Sequence, residues 1–319
     1  MIIEIQHETC LAYSGPVTES LAEFRMEPIS DQNQSCRSFH LSVSPASEVH
    51  RYQDGFGNRV HHFNVLNSCQ KLRVVAASIV ETHPIPSPLV QSRATYPINL
   101  AALDVSCYGF LTLAGPVRPT PLLEPLLERL KPWPGQRIAE FVLEVADYIA
   151  NNFTYACDVT LATSPIDDLL TQGQGVCQDF THLMIAILRS YEIPARYVSG
   201  YMHRPNKDSQ SHAWCEVWLP ESGWCLVDPT NRLAEDDGFV KVAVGRDFSD
   251  VSPNKGVYHG RSEECIFVRV ETRLLERLPS LSWQEALPPF EVPLMPIAAR
   301  YRNGAPDASF QSQQHQQQQ

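Results

Sequence analysis

GQGVCQDF, residues 173–180, places a cysteine at the point where one helical pattern stops and another starts. The two glycines end the segment before it, which opens at Ser164-Pro165 with Ser as cap, Pro in the first turn, and Asp167 and Asp168 at the positive end of the helix dipole. After Cys177, residues Phe180, Met184, Ile187, Leu188 and Tyr191 recur every three or four positions until Pro194. That spacing predicts a core-facing helix whose first residue is at or near Cys177. Unpaired N–H groups and the dipole at a helix amino terminus favour thiolate over thiol. A cysteine alone is more often a small buried side chain, so a nucleophile needs a base and a group that orients it.

Two downstream runs supply both. In SHAWCEVWL, residues 211–219, His212, Trp214, Glu216 and Trp218 share one strand face. In GWCLVDPT, residues 223–230, Trp224, Leu226 and Asp228 do the same, and a tight hairpin joins the runs. An antiparallel register with His212 opposite Asp228 brings their Cβ atoms to about 4.5–5.5 Å, close enough for the carboxylate to fix the imidazole tautomer. The same register sets Cys215 opposite Cys225 as two small hydrophobes. Asp179 and His182, next to Cys177, are read as structural. Trp214, Trp218 and Trp224 are read as sheet core.

Residues 1–82 alternate and turn like a small β domain, with IIEIQH, SFHLSVSP, HHFNVLN and LRVVAASIVET as strands and DGFGN, residues 54–58, as a hairpin signal. Residues 83–132 are Pro-rich and read as a linker and connecting segment. Residues 133–300 form a second, α+β domain: the helix of GQRIAEFVLEVADYIANN, with Ile138, Phe141, Val142, Val145, Tyr148 and Ile149 on one face, then the Cys177 helix, then strands ending with CIFVRVETRL. Residues 301–319 are glutamine-rich, lack apolar residues to bury and are expected to be disordered.

Composition narrows the classes. The 319 residues are 43% hydrophobic and 19% charged, as in soluble globular proteins. A net charge of -11 and a pI near 5.4 repel nucleic acid and anionic membrane, so neither is an expected partner. No apolar run is long enough to span a bilayer and the amino terminus reads as a strand, so no export signal is expected. Nine irregularly spaced cysteines point to a reducing compartment, the cytoplasm. GQGVCQ lacks the third glycine of a dinucleotide loop, and no CxxC or HExxH motif calls for zinc, so no cofactor or metal is expected.

Three blocks now stand in order: GQGVCQDFTHLMIAILRSYEIPARYVSGY, SHAWCEVWLPESGWCLVDPTN and GRDFSDVSPNKGVYHG. Together they resemble bacterial transglutaminase-like proteins of the papain-like cysteine hydrolase group. The first 80 or so residues resemble the β-rich amino-terminal domain of such proteins through Tyr13, Pro16-Val17 and Asp54–Asn58. The resemblance implies a Cys177-His212-Asp228 triad that forms a thioester from a peptide or glutamine amide, with a protein or peptide as substrate. It implies a peptidase or amidase first, a protein-glutamine transglutaminase as alternative. A non-enzymatic protein-binding module on the same fold is the competing class. The oxyanion would be held by the Cys177 N–H and a second donor from among Gln172, Gln174 and Tyr155.

Overall fold

The computed structural model describes residues 1–83, 87–157, 159–160, 164–204, 210–233 and 238–279, so the glutamine-rich tail lies outside the described residues. Strand β1, Ile2–Phe24, is 23 residues long and organises the amino-terminal half. It is followed by β2 (Gln34–Ser44), β3 (His50–Gln53), β4 (Arg59–Val65) and β5 (Cys69–Thr82). The first half of β1 pairs with β5, which pairs in turn with β2. The second half pairs with β4, which makes a hairpin with β3. The β5 register shifts between Ala12 and Val17, where Pro16 has no N–H to give to a ladder. The DGFGN signal is this β3–β4 turn: Gly57 takes φ +86°, and Asp54 Oδ1 accepts the N–H groups of Phe56 and Asn58, both at 3.0 Å.

The second half contains α1 (Pro88–Gln91), α2 (Glu124–Arg129), α3 (Ile138–Asn152), β6 (Thr154–Tyr155), α4 (Ile166–Gln172), β7 (Gln174–Gly175), α5 (Cys177–Ser190), β8 (Ala195–Met202), β9 (Gln210–Leu219), β10 (Gly223–Val227), β11 (Phe239–Gly245), α6 (Phe248–Val251), β12 (Asn254–His259) and β13 (Glu264–Leu275). An antiparallel sheet in the order β10-β9-β8-β11 backs α5. The expected α+β class and the helix start at Cys177 are both found. Ser164 is not the cap of α4: Pro165 holds that position, and the positive φ of Gly173 ends the helix.

Two expectations about domain limits are corrected. CIFVRVETRL does not extend the second sheet. It lies in β13, which pairs with β1 from Ile2–Leu275 to Tyr13–Glu264, while β12 pairs with the far end of β1. The chain therefore returns to the amino-terminal sheet, because a strand as long as β1 leaves an edge that β2–β5 do not cover. Residues 83–132 do not behave as a linker either. Leu89, Ile98, Leu103, Cys107, Val117, Leu123, Leu126 and Leu130 are buried in the same apolar core as α3 and α5. Each such side chain contributes about 1.5–3 kcal/mol by leaving water, which no free linker could offer.

The two halves are joined by backbone hydrogen bonding as well as by apolar contact. Strand β11 is the edge of its sheet, and two amide side chains close it. Gln34 Nε2 donates to Lys241 O at 2.8 Å and its Oε1 accepts from Lys241 N at 2.7 Å. Asn58 repeats the pattern on Val244, with both bonds at 2.8 Å. Each amide stands in for one residue of a missing neighbour strand. Replacing Asn58 by Ala leaves the Val244 N–H and C=O buried and unpaired, and is expected to lower unfolding free energy in urea by about 2–4 kcal/mol. A loss below about 0.5 kcal/mol, as for an ordinary surface change, would mean that water takes over the role of the amide.

Candidate active site

Cys177 occupies the first turn of α5 and is 2% exposed. The helix start is fixed by Asp179, whose Oδ2 accepts from Val176 N at 2.8 Å and from Thr160 Oγ1 at 2.6 Å. Burial pushes the Asp179 carboxyl up, and these two bonds counter it. A Cβ on Gly175 would come within 2.8 Å of Asp179 Oδ2, so that position has to be glycine for the carboxylate to reach. One turn on, Thr181 Oγ1 donates to Cys177 O at 2.8 Å. Asp179 thus has a structural role, as expected, and the structure shows that role to be a cap. His182 is structural too: its Nε2 accepts from Phe248 N at 3.2 Å, and burial lowers its pKa to about 3, keeping the ring neutral.

His212 lies on β9 opposite Gly200 of β8. A Cβ on Gly200 would approach Val240 O to 2.1 Å and the Trp214 ring to 2.6 Å, so only glycine lets these strands and that ring pack together. Trp214 and Phe239 wall the imidazole, with ring centroids 6.1 and 5.9 Å away. Trp214 is fully buried, whereas Trp218 and Trp224 are half-buried against the main core, so all three serve the sheet. Trp224 also carries the Arg196 guanidinium 4.2 Å above its ring.

The structure brings His212 and Asp228 together by a register different from the one expected. Strand β10 pairs Gly223 with Leu219, Cys225 with Val217 and Val227 with Cys215, a shift of two residues. The cause is the turn, a three-residue loop closed by Ser222 N to Leu219 O at 3.1 Å, with Gly223 at φ +70°. Cys215 and Cys225 are therefore not opposite each other, and both are free thiols that burial pushes up, Cys225 to about 12. A shift of two preserves side-chain parity, so the His212–Asp228 approach becomes diagonal instead of direct. His212 Nε2 donates to Asp228 Oδ2 at 2.8 Å.

Asp228 has no exposed surface, and the loop after it supplies what water would have given. Thr230 N and Asn231 N donate to Oδ1 at 2.8 and 3.3 Å, and Asn231 Nδ2 donates to Oδ2 at 2.6 Å. Asp228 N in turn donates to Leu233 O at 2.7 Å, which closes the loop. Burial opposes ionisation of Asp228, but His212 and these donors hold its carboxyl below the usual range. For His212 burial opposes the charge, yet Asp228, and then a hydrogen bond and charge contact with Cys177, raise its pKa to about 10. The ring thus spans Cys177 and Asp228, and with Nε2 on the carboxylate, Nδ1 is the nitrogen left for sulfur. The three residues expected from the sequence converge.

Asn231 was not anticipated. The only signal for it is its position three residues after Asp228, within reach of an Asx-type loop. The three candidate second donors differ in placement. Gln172 ends α4 and Gln174 lies in β7, both with exposed side chains. Tyr155, in β6, hydrogen-bonds to Cys177. The nine thiols are all free, and no helix among the described residues is long and apolar enough to cross a membrane.

Comparison with known proteins agrees with this architecture. The transglutaminase-like superfamily profile matches residues 128–229, and that of the bacterial transglutaminase-like N-terminal region matches residues 3–81. An uncharacterized protein of Mycobacterium leprae is 33% identical over 287 residues, covering 85% of this chain and 99% of its own. A protein-glutamine gamma-glutamyltransferase of Pseudomonas aeruginosa is 36% identical over 81 residues, 22% of this chain and 12% of that protein. The crystal structure of a proposed cysteine protease from Cytophaga hutchinsonii superposes with a TM-score of 0.72 at 24% identity, over 88% of this chain and 93% of that one, which shows a shared fold. The chain belongs to the transglutaminase-like superfamily, in the bacterial form whose core is preceded by its own amino-terminal region.

Proposed function

We propose that the protein is a thiol-dependent acyl hydrolase acting on peptide or glutamine amide bonds, with Cys177 as nucleophile, His212 as acid and base, and Asp228 as the group that orients His212. The observation that carries this reading is the buried imidazole held between an ionised carboxylate and the sulfur at a helix amino terminus. Sulfur attacks the carbonyl carbon, and the C=O electron pair moves to oxygen. Collapse breaks the C–N bond while His212 hands its proton to the departing amine, leaving a thioester. Water then adds, gives a proton back to His212, and the C–S bond breaks to release the acid and the thiol. Residues 1–82 take no part in these steps in this reading. The nine irregularly spaced cysteines of the sequence suit a reducing compartment, the cytoplasm, in this reading.

Transfer to an amine is the second reading, supported by the local likeness to a protein-glutamine gamma-glutamyltransferase. A glutamine-containing peptide incubated with and without a primary amine separates the two. Release of ammonia without amine incorporation is expected for the hydrolase.

Iodoacetamide reads the thiolate–imidazolium pair independently of substrate. At about pH 6, replacing His212 by Ala is expected to slow alkylation of Cys177, followed by peptide mass spectrometry, by about tenfold or more. Equal rates would remove the pair and the reaction with it. The pair also sets a pH dependence of stability. His212 has a folded value of about 10, above its unfolded value of about 6.5. Its stabilisation is therefore complete below the unfolded value and is lost as pH rises through the folded one. The difference in Tm between wild type and Asp228→Asn is expected to be largest near pH 6 and to close toward pH 10. A difference that stays constant over this window would show that Asp228 does not hold His212 charged.

A further inference from the structure

Resting on the acyl-transfer reading above, we infer that Tyr155 is a catalytic residue: its phenol O–H is the second oxyanion donor, moving from the Cys177 sulfur to the carbonyl oxygen as the C–S bond forms. Three observations converge on the same atom. The first is placement. Strands β6 and β7 pair in parallel, Thr154 with Gln174 and Tyr155 with Gly175. Thr154 N donates to Gly173 O at 2.9 Å and Ala156 N to Gly175 O at 3.0 Å, so the Tyr155 backbone is bolted two residues ahead of Cys177.

The second is orientation. The Tyr155 ring stands edge-on to Phe180, with centroids 6.3 Å apart and planes at 82°, and Phe180 is part of α5 itself. One helix therefore carries the nucleophile and steadies the phenol. Its hydroxyl hydrogen-bonds to Cys177, while 45% of the residue is exposed. The side chain thus touches both the reacting sulfur and solvent. The third is protonation. Burial and the neighbouring charge of Cys177 both push the phenol upward, so it remains an O–H donor across the working pH range. The first-turn N–H of Cys177 has no partner inside its helix, and is the natural companion donor.

In the step itself the carbonyl π pair moves onto oxygen as sulfur bonds to carbon. The phenol keeps its proton and only stabilises that charge, and on collapse the O–H returns to the thioester sulfur side. Gln172 and Gln174, the other donors in reach by sequence, turn to solvent.

The test uses the full chain, with p-nitrophenyl acetate as acyl donor and iodoacetamide as a probe with no oxyanion. Tyr155→Phe keeps the ring on Phe180 and removes only the hydroxyl. Acylation of Cys177, read as p-nitrophenolate release, is expected to fall about 100-fold, while alkylation stays within about threefold, as does acylation in Gln174→Ala. Acylation unchanged in Tyr155→Phe overturns the inference, as does alkylation that falls in step with it, since the hydroxyl would then serve only to position the sulfur. A wild type that is alkylated yet never acylated sinks the acyl-transfer reading, and the role of Tyr155 falls with it.

Discussion

A carboxylate with no exposed surface must be given back by the protein what it lost from water, and Asp228 sets that requirement for everything around it. Removing such a charge from solvent costs several kcal/mol, and a single partner does not recover that cost. The chain answers by winding residues 228–233 into a loop that aims two backbone N–H groups and one amide at the two oxygens, and by placing His212 on the remaining lone pair. The imidazole is then held in its charged form by the carboxylate on one side, while the Cys177 sulfur lies on the other. The electrostatics run in one direction, from the depth of the loop outward to the helix end.

That chain of charge depends on a sheet that does not shift, and the amino-terminal half secures the sheet. The edge strand β11 is closed by Gln34 and Asn58, each making two bonds that a neighbour strand would make. A second tie is ionic. Glu216, one strand residue pair away from the Trp214 wall, is buried against Arg196 and against Lys241, whose Nζ also reaches Asp31 at 2.9 Å. Burial opposes the Glu216 charge, but the two cations hold its pKa at about 2. Lys241 thereby joins the amino-terminal half to β9, the strand that carries His212. Breaking one partner would strand the others in the interior, which makes the arrangement specific more than it makes it strong.

The sequence was most legible where physics is local. Glycine termination at Gly173, helix periodicity after Cys177 and the alternation that put His212 and Asp228 on one side of their strands all follow from single-residue preferences, and all are present. Register was not local. It depended on whether the turn after Leu219 holds one residue or three, and Gly223 in a left-handed conformation selects three. Parity survived, so His212 and Asp228 meet in spite of the wrong pairing. The partner of CIFVRVETRL was further out of reach, because β13 alternates equally well for either sheet and only the unfilled edge of β1 decides between them. Proline content likewise described the backbone of residues 83–132 and not the fate of Leu89, Leu103 or Leu123, whose burial depends on surfaces supplied from α3 and α5.

Asn231 and Tyr155 show why the remaining part of the site is hard to read from residues alone. Asn231 carries no chemical signal of its own, Tyr155 is one of three candidate donors that spacing does not rank, and neither lies on a long element. Two-residue strands such as β6 and β7 have no independent stability. They persist because α3 ends immediately before one and α4 ends, through Gly173, immediately before the other. The reach from Tyr155 to Cys177 is thus fixed by where two helices stop, and Gly175 lets Asp179 fold back and fix where the third begins. The geometry around Cys177 is set at helix termini, where backbone donors are unpaired and small displacements are resisted by caps. A substitution that lengthens α4 by one residue would move Tyr155 relative to the sulfur without touching either residue, since the β6–β7 pairing would have to slip with it.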